Sequence, residues 1–370
     1  MILRIEDIKD ICSNILLAVD SNELSKITET LELKVKDKTL FINVTSKEYY
    51  VTFKIPLFED IDFHATVNAE LFLNLIKKTT TETIELTLAD NYLILKGNGT
   101  YKLPLIYEND KLLELPEIKL NNITNAFSIS SKTLKSIDAF NSVEIKKGVV
   151  VNPVQKLYYV DKQGAITFTS GACVNDFTLD EDIKLLFNSK IVKLFNIFNE
   201  DNVLFSIAQD TDDSGVNQTK VKFETSSTVL TAILYYNDDY ISSVPVTQIR
   251  GVAKGQYAFT VMIPKQSLSE AIDRLTLFKD ARFNVYGNFE FKSDKVIIWD
   301  DSKENFEEIS YTNNPDIQEP YNAILDFNDI KLVLGCCDGQ YVSTRFGNHQ
   351  SFVFDSHNNS IHSVVPECEI

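Results

Sequence analysis

The sequence predicts an α+β fold of three tandem, similar domains, each with two helices and antiparallel sheets. Three observations carry that expectation. The chain has 370 residues, more than one domain holds at about 150 residues apiece. Short one-sided helical stretches alternate with runs of period-two strands. The same series of elements also recurs along the chain, as expected of a tandem array of domains with separate cores.

The elements follow in order. Leu3-Arg4-Ile5 leads into a helix carrying Ile8 and Ile11, and residues 31–35 and 40–44 alternate as strands. A helix over 68–78 carries Leu71, Phe72, Leu75 and Ile76 on one side, with Asn68 placed to accept from a free N–H at its start. Strands at 84–88, 92–95 and 101–105 follow, separated by Ala89-Asp90-Asn91 and Gly97-Asn98-Gly99 turns. Phe187-Asn188 opens a second copy of this series and Phe327-Asn328 a third, so the marker asparagines lie 120 and then 140 residues apart. An alternating unit begins at Leu3-Arg4-Ile5, Phe127-Ser128-Ile129 and Val261-Met262-Ile263, with Ile8, Leu134 and Leu268 in the three helices that follow. Polar or Pro-containing seams at 115–124 and 242–256 place the domains at 1–121, 122–250 and 251–370.

Composition narrows the function. Lys and Arg number 36 against 53 Asp and Glu, a net charge of −17. That excludes a generally basic nucleic-acid binder but leaves room for a local basic groove. No run reaches the roughly 18 apolar residues of a membrane span. The start, Met1-Ile2-Leu3-Arg4-Ile5-Glu6-Asp7, has no signal-peptide pattern, so a cytoplasmic protein is expected. Cys12, Cys173, Cys336, Cys337 and Cys368 form no C-x-x-C pair and are expected as reduced, mostly buried thiols. His357 and His362 are too loosely spaced for a metal site. Asp180-Glu181-Asp182, Asp212-Asp213 and Asp300-Asp301 read as solvated turn acids. No phosphate-cradling glycine motif or nucleophile elbow occurs, so no catalytic residue, metal or cofactor is assigned.

Several strings, taken in order and spacing, resemble the bacterial DNA sliding clamp, the β subunit of DNA polymerase III. They are Val67-Asn68-Ala69-Glu70-Leu71-Phe72, the Gly97–Leu105 turn and strand, Leu157-Tyr158-Tyr159-Val160, Thr169-Ser170-Gly171, Asp239-Tyr240 with Pro245, and Ser363-Val364-Val365-Pro366. The resemblance implies a head-to-tail homodimer closing a six-domain ring, with helices lining the hole. Such a protein performs no chemistry. It encircles double-stranded DNA without regard to sequence and tethers DNA polymerase and clamp loader through short apolar peptides, raising their effective concentration.

On that reading the pore cations are Lys9, Lys77, Lys78, Lys132, Lys135, Lys146, Lys147, Lys190, Lys193, Lys265, Arg274 and Lys331. Acids in the same helices, among them Glu6, Asp10, Glu270 and Asp273, leave open a set of solvated faces of mixed charge. The implied partner-peptide pocket is Val160, Thr169, Gly171, Val174, Val244, Val364, Val365 and Pro366, with ordinary strand core as the other reading of these valines. The implied seam joins Tyr101 and Leu103 to Leu275, Leu277 and Phe278 of a second chain, with intrachain packing as the alternative.

The chain departs from the family pattern in three places. Ala172-Cys173-Val174 stands where the family has His-Arg-Leu, Asp238 stands for a Pro, and the tail Glu367-Cys368-Glu369-Ile370 is acidic where a basic end is common. This fits a divergent clamp, phage- or plasmid-borne, whose pocket prefers a different peptide. Two other functions stay open: an acidic non-catalytic scaffold or DNA-mimic interaction protein, and a hydrolase whose site is not visible.

Overall fold

A computed structural model describes residues 1–20, 25–137, 154–155, 157–169, 171–211, 214–278, 285–300, 302–348 and 350–368. Along the chain one motif, a strand, a helix and three antiparallel strands, occurs six times. The first copy is β1 (Ile2–Arg4), α1 (Ile5–Ala18), β2 (Thr30–Lys36), β3 (Thr39–Thr45) and β4 (Tyr49–Pro56). The second is β5 (His64–Asn68), α2 (Ala69–Lys78), β6 (Thr83–Ala89), β7 (Tyr92–Lys96) and β8 (Thr100–Pro104), followed by a small hairpin, β9 (Tyr107–Glu108) and β10 (Lys111–Leu112). The third is β11 (Ile123–Ser130), α3 (Ser131–Ile137), β12 (Tyr158–Asp161), β13 (Gly164–Phe168) and β14 (Ala172–Asp176). The fourth is β15 (Lys184–Phe187), α4 (Ser189–Leu194), β16 (Asn202–Thr211), β17 (Asn217–Glu224) and β18 (Thr228–Ile233). Two further helices intervene, α5 (Asn237–Tyr240) and α6 (Val246–Ala253). The fifth copy is β19 (Phe259–Pro264), α7 (Lys265–Thr276), β20 (Tyr286–Phe291), β21 (Lys295–Trp299) and β22 (Phe306–Ser310). The sixth is β23 (Tyr321–Asp326), α8 (Phe327–Cys336), β24 (Tyr341–Phe346), β25 (Ser351–Asp355) and β26 (Ile361–Pro366).

Local chemistry sets the helix boundaries. Asn68 caps α2 by accepting from the Leu71 N–H at 2.9 Å, as its position implied. The third marker, Asn328, is not the cap of α8; Asp326 is, accepting from the Asn328 N–H at 2.7 Å. In α7, Leu268, Ala271, Ile272 and Leu275 recur at helical spacing and all face the core.

The copies assemble in pairs by exchanging their first strands. β1 joins β6–β8 and β5 joins β2–β4; β11 joins β16–β18 and β15 joins β12–β14; β19 joins β24–β26 and β23 joins β20–β22. The described residues form two compact units, residues 1–135 with 190–238 and residues 136–189 with 239–370.

In the first unit, β4 pairs antiparallel with β18, fusing two four-stranded sheets into eight strands. Its core holds stacked phenylalanines, with Phe205 and Phe223 at 4.3 Å and Phe195 edge-on to Phe223 at 5.0 Å. The expected seam at 115–124 begins as an apolar strap: Leu113 and Leu115 are buried against Tyr50, with Ile106 and Ile118 beside them.

In the second unit, β14 pairs antiparallel with β26 in the same way. Phe291, Phe346 and Phe352 stack in its core, with centroids 4.4 to 5.5 Å apart. Gly287 makes room for that core, since a Cβ there would lie 2.1 Å from the Phe327 ring. The expected seam at 242–256 contains α6, which the sequence reading passed over. Val246, Ile249 and Ala253 fall on one side of this helix and pack on the apolar face beside β14 and β26.

Glu200 fixes the turn between β17 and β18. It accepts from the N–H and hydroxyl of Ser226 and of Ser227, at 2.8 to 3.3 Å. Burial pushes its carboxyl up, but these hydrogen bonds prevail and hold it at about 2, below the usual 4.5. The lowered value stabilises the fold above pH 4.5, and that stabilisation is lost as pH falls toward about 2. Glu200→Ala is expected to cost about 1–2 kcal/mol at pH 7. The difference from the parent should shrink steadily in urea unfolding series between pH 5 and 2.5. A pH-independent difference would assign the cost to packing instead.

Candidate nucleic-acid and partner interfaces

The described cations expected for the pore fall into two sets. Five are tied. Lys9 donates to the carbonyl of Thr79 and Lys265 to that of Cys337, which are the C-caps of α2 and α8. Both ammonium groups thus satisfy an otherwise orphaned carbonyl at the negative end of a helix dipole. Lys190 pairs with the buried Asp20 at 2.6 Å, and Lys331 with Asp273 at 2.5 Å. Arg274 grips Glu307 through two bonds of 2.7 and 3.0 Å. Lys77, Lys78, Lys132, Lys135 and Lys193 are exposed or half-exposed and, among the described residues, form no ion pair. Lys146 and Lys147 lie outside the described residues. Lys9→Met should therefore lower stability by about 1–2 kcal/mol through loss of a charged cap. Thermal unfolding checks this, and an unchanged midpoint would refute the cap.

An apolar face lies where β14 meets β26. Leu157, Tyr159, Ile166, Val174, Leu186, Val244 and Ala253 are buried beneath it, and half-buried Phe168, Tyr240, Ile241, Val246, Ile249 and Val364 pack against them and form its outer surface. The structure brings Val174, Val244 and Val364 of the sequence-derived pocket together here. Val160 and Val365 are not part of it. Strand alternation turns Val160 to the opposite face with Tyr158 and Ala165, and Val365 packs in the core with Phe352. Gly171 and Pro366 sit at one rim. A Cβ at Gly171 would come within 2.4 Å of the Val364 carbonyl oxygen, so this close strand approach requires glycine. The Thr169 N–H donates to the Gly171 carbonyl at 2.8 Å and closes the turn. Gly171→Val is expected to cost about 2 kcal/mol or more by forcing the strands apart. Urea unfolding at equilibrium measures this, and a neutral result would show that β14 can shift freely.

A polar network borders that face. Arg250 of α6 holds Asp161 through bonds of 2.8 and 2.7 Å, and both side chains are largely buried. Arg345 grips Asp355 and donates to the carbonyls of Ala253 and Gly255, fixing the end of α6. His362 lies between Asp355 at 2.6 Å and Asp176 at 3.4 Å, and Lys254 pairs with Asp176 at 2.7 Å. These side chains pair with one another, while the buried Asp176 Oδ1 and Arg250 Nε accept and donate no hydrogen bond among the described residues. No cluster of three or more His, Cys, Asp or Glu among the described residues is arranged to hold a metal. Burial pushes the Cys173 and Cys337 thiols up to about 12, far from a nucleophilic thiolate at neutral pH.

Of the six equivalent strands that end the motif copies, two have no partner on one side among the described residues. β4 is paired by β18 and β14 by β26, but the equivalent strands β8 and β22 end their four-stranded sheets. Tyr101 on β8 is exposed, as are Leu277 and Phe278 after α7 and Phe306 on β22. Leu103 and Leu275 are buried in their own units, as intrachain core. The sequence reading missed Phe306, which stacks on Trp299 at 4.6 Å.

No protein-family model and no curated protein sequence matches the chain. Solved structures do. The DNA polymerase III β subunit of Thermotoga maritima superposes with a TM-score of 0.79 at 14% identity, covering 100% of this chain and 99% of that one. The sliding clamp of Bacillus subtilis gives 0.75 at 16%, covering 100% and 98%. That of Pseudomonas aeruginosa, bound to griselimycin, gives 0.78 at 14%, covering 100% and 99%. The chain has the bacterial sliding-clamp fold. The likeness runs end to end along this chain and along the structures it matches. At this identity the side chains on the strand edges and the apolar face are the chain's own.

Proposed function

We propose that the chain is a DNA sliding clamp, a non-catalytic processivity factor of three domains at 1–121, 122–250 and 251–370. One observation carries the reading: a full-length clamp fold in which two of the three equivalent strand junctions are made within the chain. The third strand of one motif copy pairs with the third strand of a later copy at β4·β18 and at β14·β26. By the same rule β22 requires a β8, and the available β8 belongs to a second chain. An exposed strand edge is a template for such pairing. A head-to-tail contact either closes a ring or grows a filament, and the clamp fold favours closure as a homodimer. Charge is compatible with a β8·β22 pairing: β8 carries Lys102 and Glu304 lies beside β22, while Glu307 and Glu308 are already paired with Arg274 and Lys295.

In this reading the ring encircles double-stranded DNA, and the apolar face beside α6 receives short apolar peptides of polymerase and clamp loader. A ligand-bound Pseudomonas aeruginosa clamp and a Helicobacter pylori clamp with 3,4-difluorobenzamide are consistent with small ligands docking on this fold. No cofactor and no membrane is required, and among the described residues no helix is long and apolar enough to cross a membrane.

Light scattering with small-angle X-ray scattering on the same sample tests the ring. The expected mass is twice the 42.0 kDa chain, with a scattering profile showing a central hole. Retention on nicked circular DNA and loss after linearisation tests encirclement. Competition with DNA by a compact monomer would favour the acidic mimic instead.

A further inference from the structure

We propose that the phosphate-contacting charge of this protein is carried by Lys77, Lys78, Lys132, Lys135 and Lys193, and that the tied cations of the helices do not contribute to it. The inference rests on the sliding-clamp reading and narrows it to five named side chains. All five lysines belong to the first compact unit, on α2, α3 and α4. Every described cation on α7 and α8 of the second unit is tied, Lys265 to a carbonyl and Arg274 and Lys331 to carboxylates.

The physical distinction is local charge compensation. An ammonium group held 2.6 Å from a buried carboxylate, as Lys190 is by Asp20, presents little net charge to a phosphate several ångströms away. Releasing it would take the ammonium partner from a buried carboxylate, at a cost of several kcal/mol. Lys9 and Lys265 are pinned instead on helix C-caps, where leaving would orphan a carbonyl. The five free lysines face neither cost. They can exchange bound counterions for phosphates as the duplex moves, and phosphate contacts carry no sequence information, as sliding requires. The acids follow the same division. α7 and α8 carry as many acids as bases, whereas α2, α3 and α4 carry an excess of lysine. With a screening length of about 8 Å at physiological salt, the acidic remainder of the chain does not cancel that local excess.

The test is the salt dependence of binding to a fluorescein-labelled 40-base-pair duplex, followed by anisotropy from 25 to 150 mM KCl with the full-length protein. Each phosphate neutralised contributes about 0.9 to the slope of log K against log salt. Changing all five lysines to Gln should remove more than half of the parent slope and weaken binding at 50 mM KCl at least tenfold. The matching five-fold change to Arg should retain both slope and affinity, which separates charge from any structural effect. Lys190→Gln with Lys331→Gln should leave the slope within about one unit of the parent while lowering the melting temperature. A parent-like slope in the five-Gln protein overturns the inference, as does an equal loss in the Lys190/Lys331 pair. A parent protein with no salt-dependent duplex binding overturns the inference as well, whereas failure of retention on nicked circular DNA is what overturns the clamp reading.

Discussion

Replacing Leu277 and Phe306 together with Asp is expected to turn the protein into monomers at micromolar concentration. Phe306 lies on β22 and Leu277 directly follows α7, which packs against β22, and in the single chain Leu277 is 81% and Phe306 52% exposed. Exposure on that scale means the substitutions remove little from the chain's own core, so the melting temperature of the monomer should hardly move. Across a β8·β22 seam they would be central apolar anchors, where truncating one costs about 2 kcal/mol or more. Two such losses raise the dimer dissociation constant by about a thousandfold. A carboxylate placed at an apolar seam deepens the effect, because it loses water on association without gaining a paired charge. Light scattering across a dilution series reads the result directly. A dimer that persists at nanomolar concentration with both residues changed would place the seam elsewhere. Tyr101→Asp on the opposite edge should reproduce the monomer, because a head-to-tail contact uses two different surfaces.

The repeat was legible in the sequence because it is written in local patterns. Asn68 before an amphipathic run, and alternation after it, need only neighbouring residues to be read. The strand exchange that pairs β1 with β6 was not legible, since Leu3 and Ile84 meet across the whole first motif pair. The same limit explains the cations. Charge and helix position nominated Lys190 and Arg274, but the carboxylates that tie them, Asp20 and Glu307, come from other elements. Leu275 is the instructive case at the seam. Its spacing from Leu268, Ala271 and Ile272 marks it as core, while Leu277 and Phe278 lie past the last turn and stay exposed. Within the apolar face, alternation along β12 and β26 decides between neighbours. Tyr159 and Val364 belong to it, whereas Val160 and Val365 point the other way. α6 was hidden because its seam contains Pro245 and Gly251, residues that usually signal a loop.

Placing Glu at both Val246 and Ile249 is expected to abolish polymerase stimulation while leaving the dimer and its DNA binding intact. Both side chains are only half-buried, on α6, one of the two helices that lie outside the six repeated motifs. A helix whose apolar side chains remain partly exposed beside a larger apolar face is a surface awaiting a partner. A peptide anchor inserted there would desolvate both positions, and a buried, unpaired carboxylate costs several kcal/mol, enough to weaken binding a hundredfold or more. In the free protein the same carboxylates reach water, and the Arg250–Asp161 and Arg345–Asp355 pairs still hold the helix on its sheet. Truncating the chain from Val364 onward would be a poorer experiment. Val364 and Val365 lie within β26, which pairs with both β14 and β25, so deletion would undo the junction along with the docking face. Isothermal titration with an apolar peptide from the cognate polymerase, alongside primer extension on circular template, separates the two effects. Lost peptide binding with a normal solution mass and normal duplex affinity is the expected outcome. Full stimulation by the double-Glu protein would move the partner site away from α6.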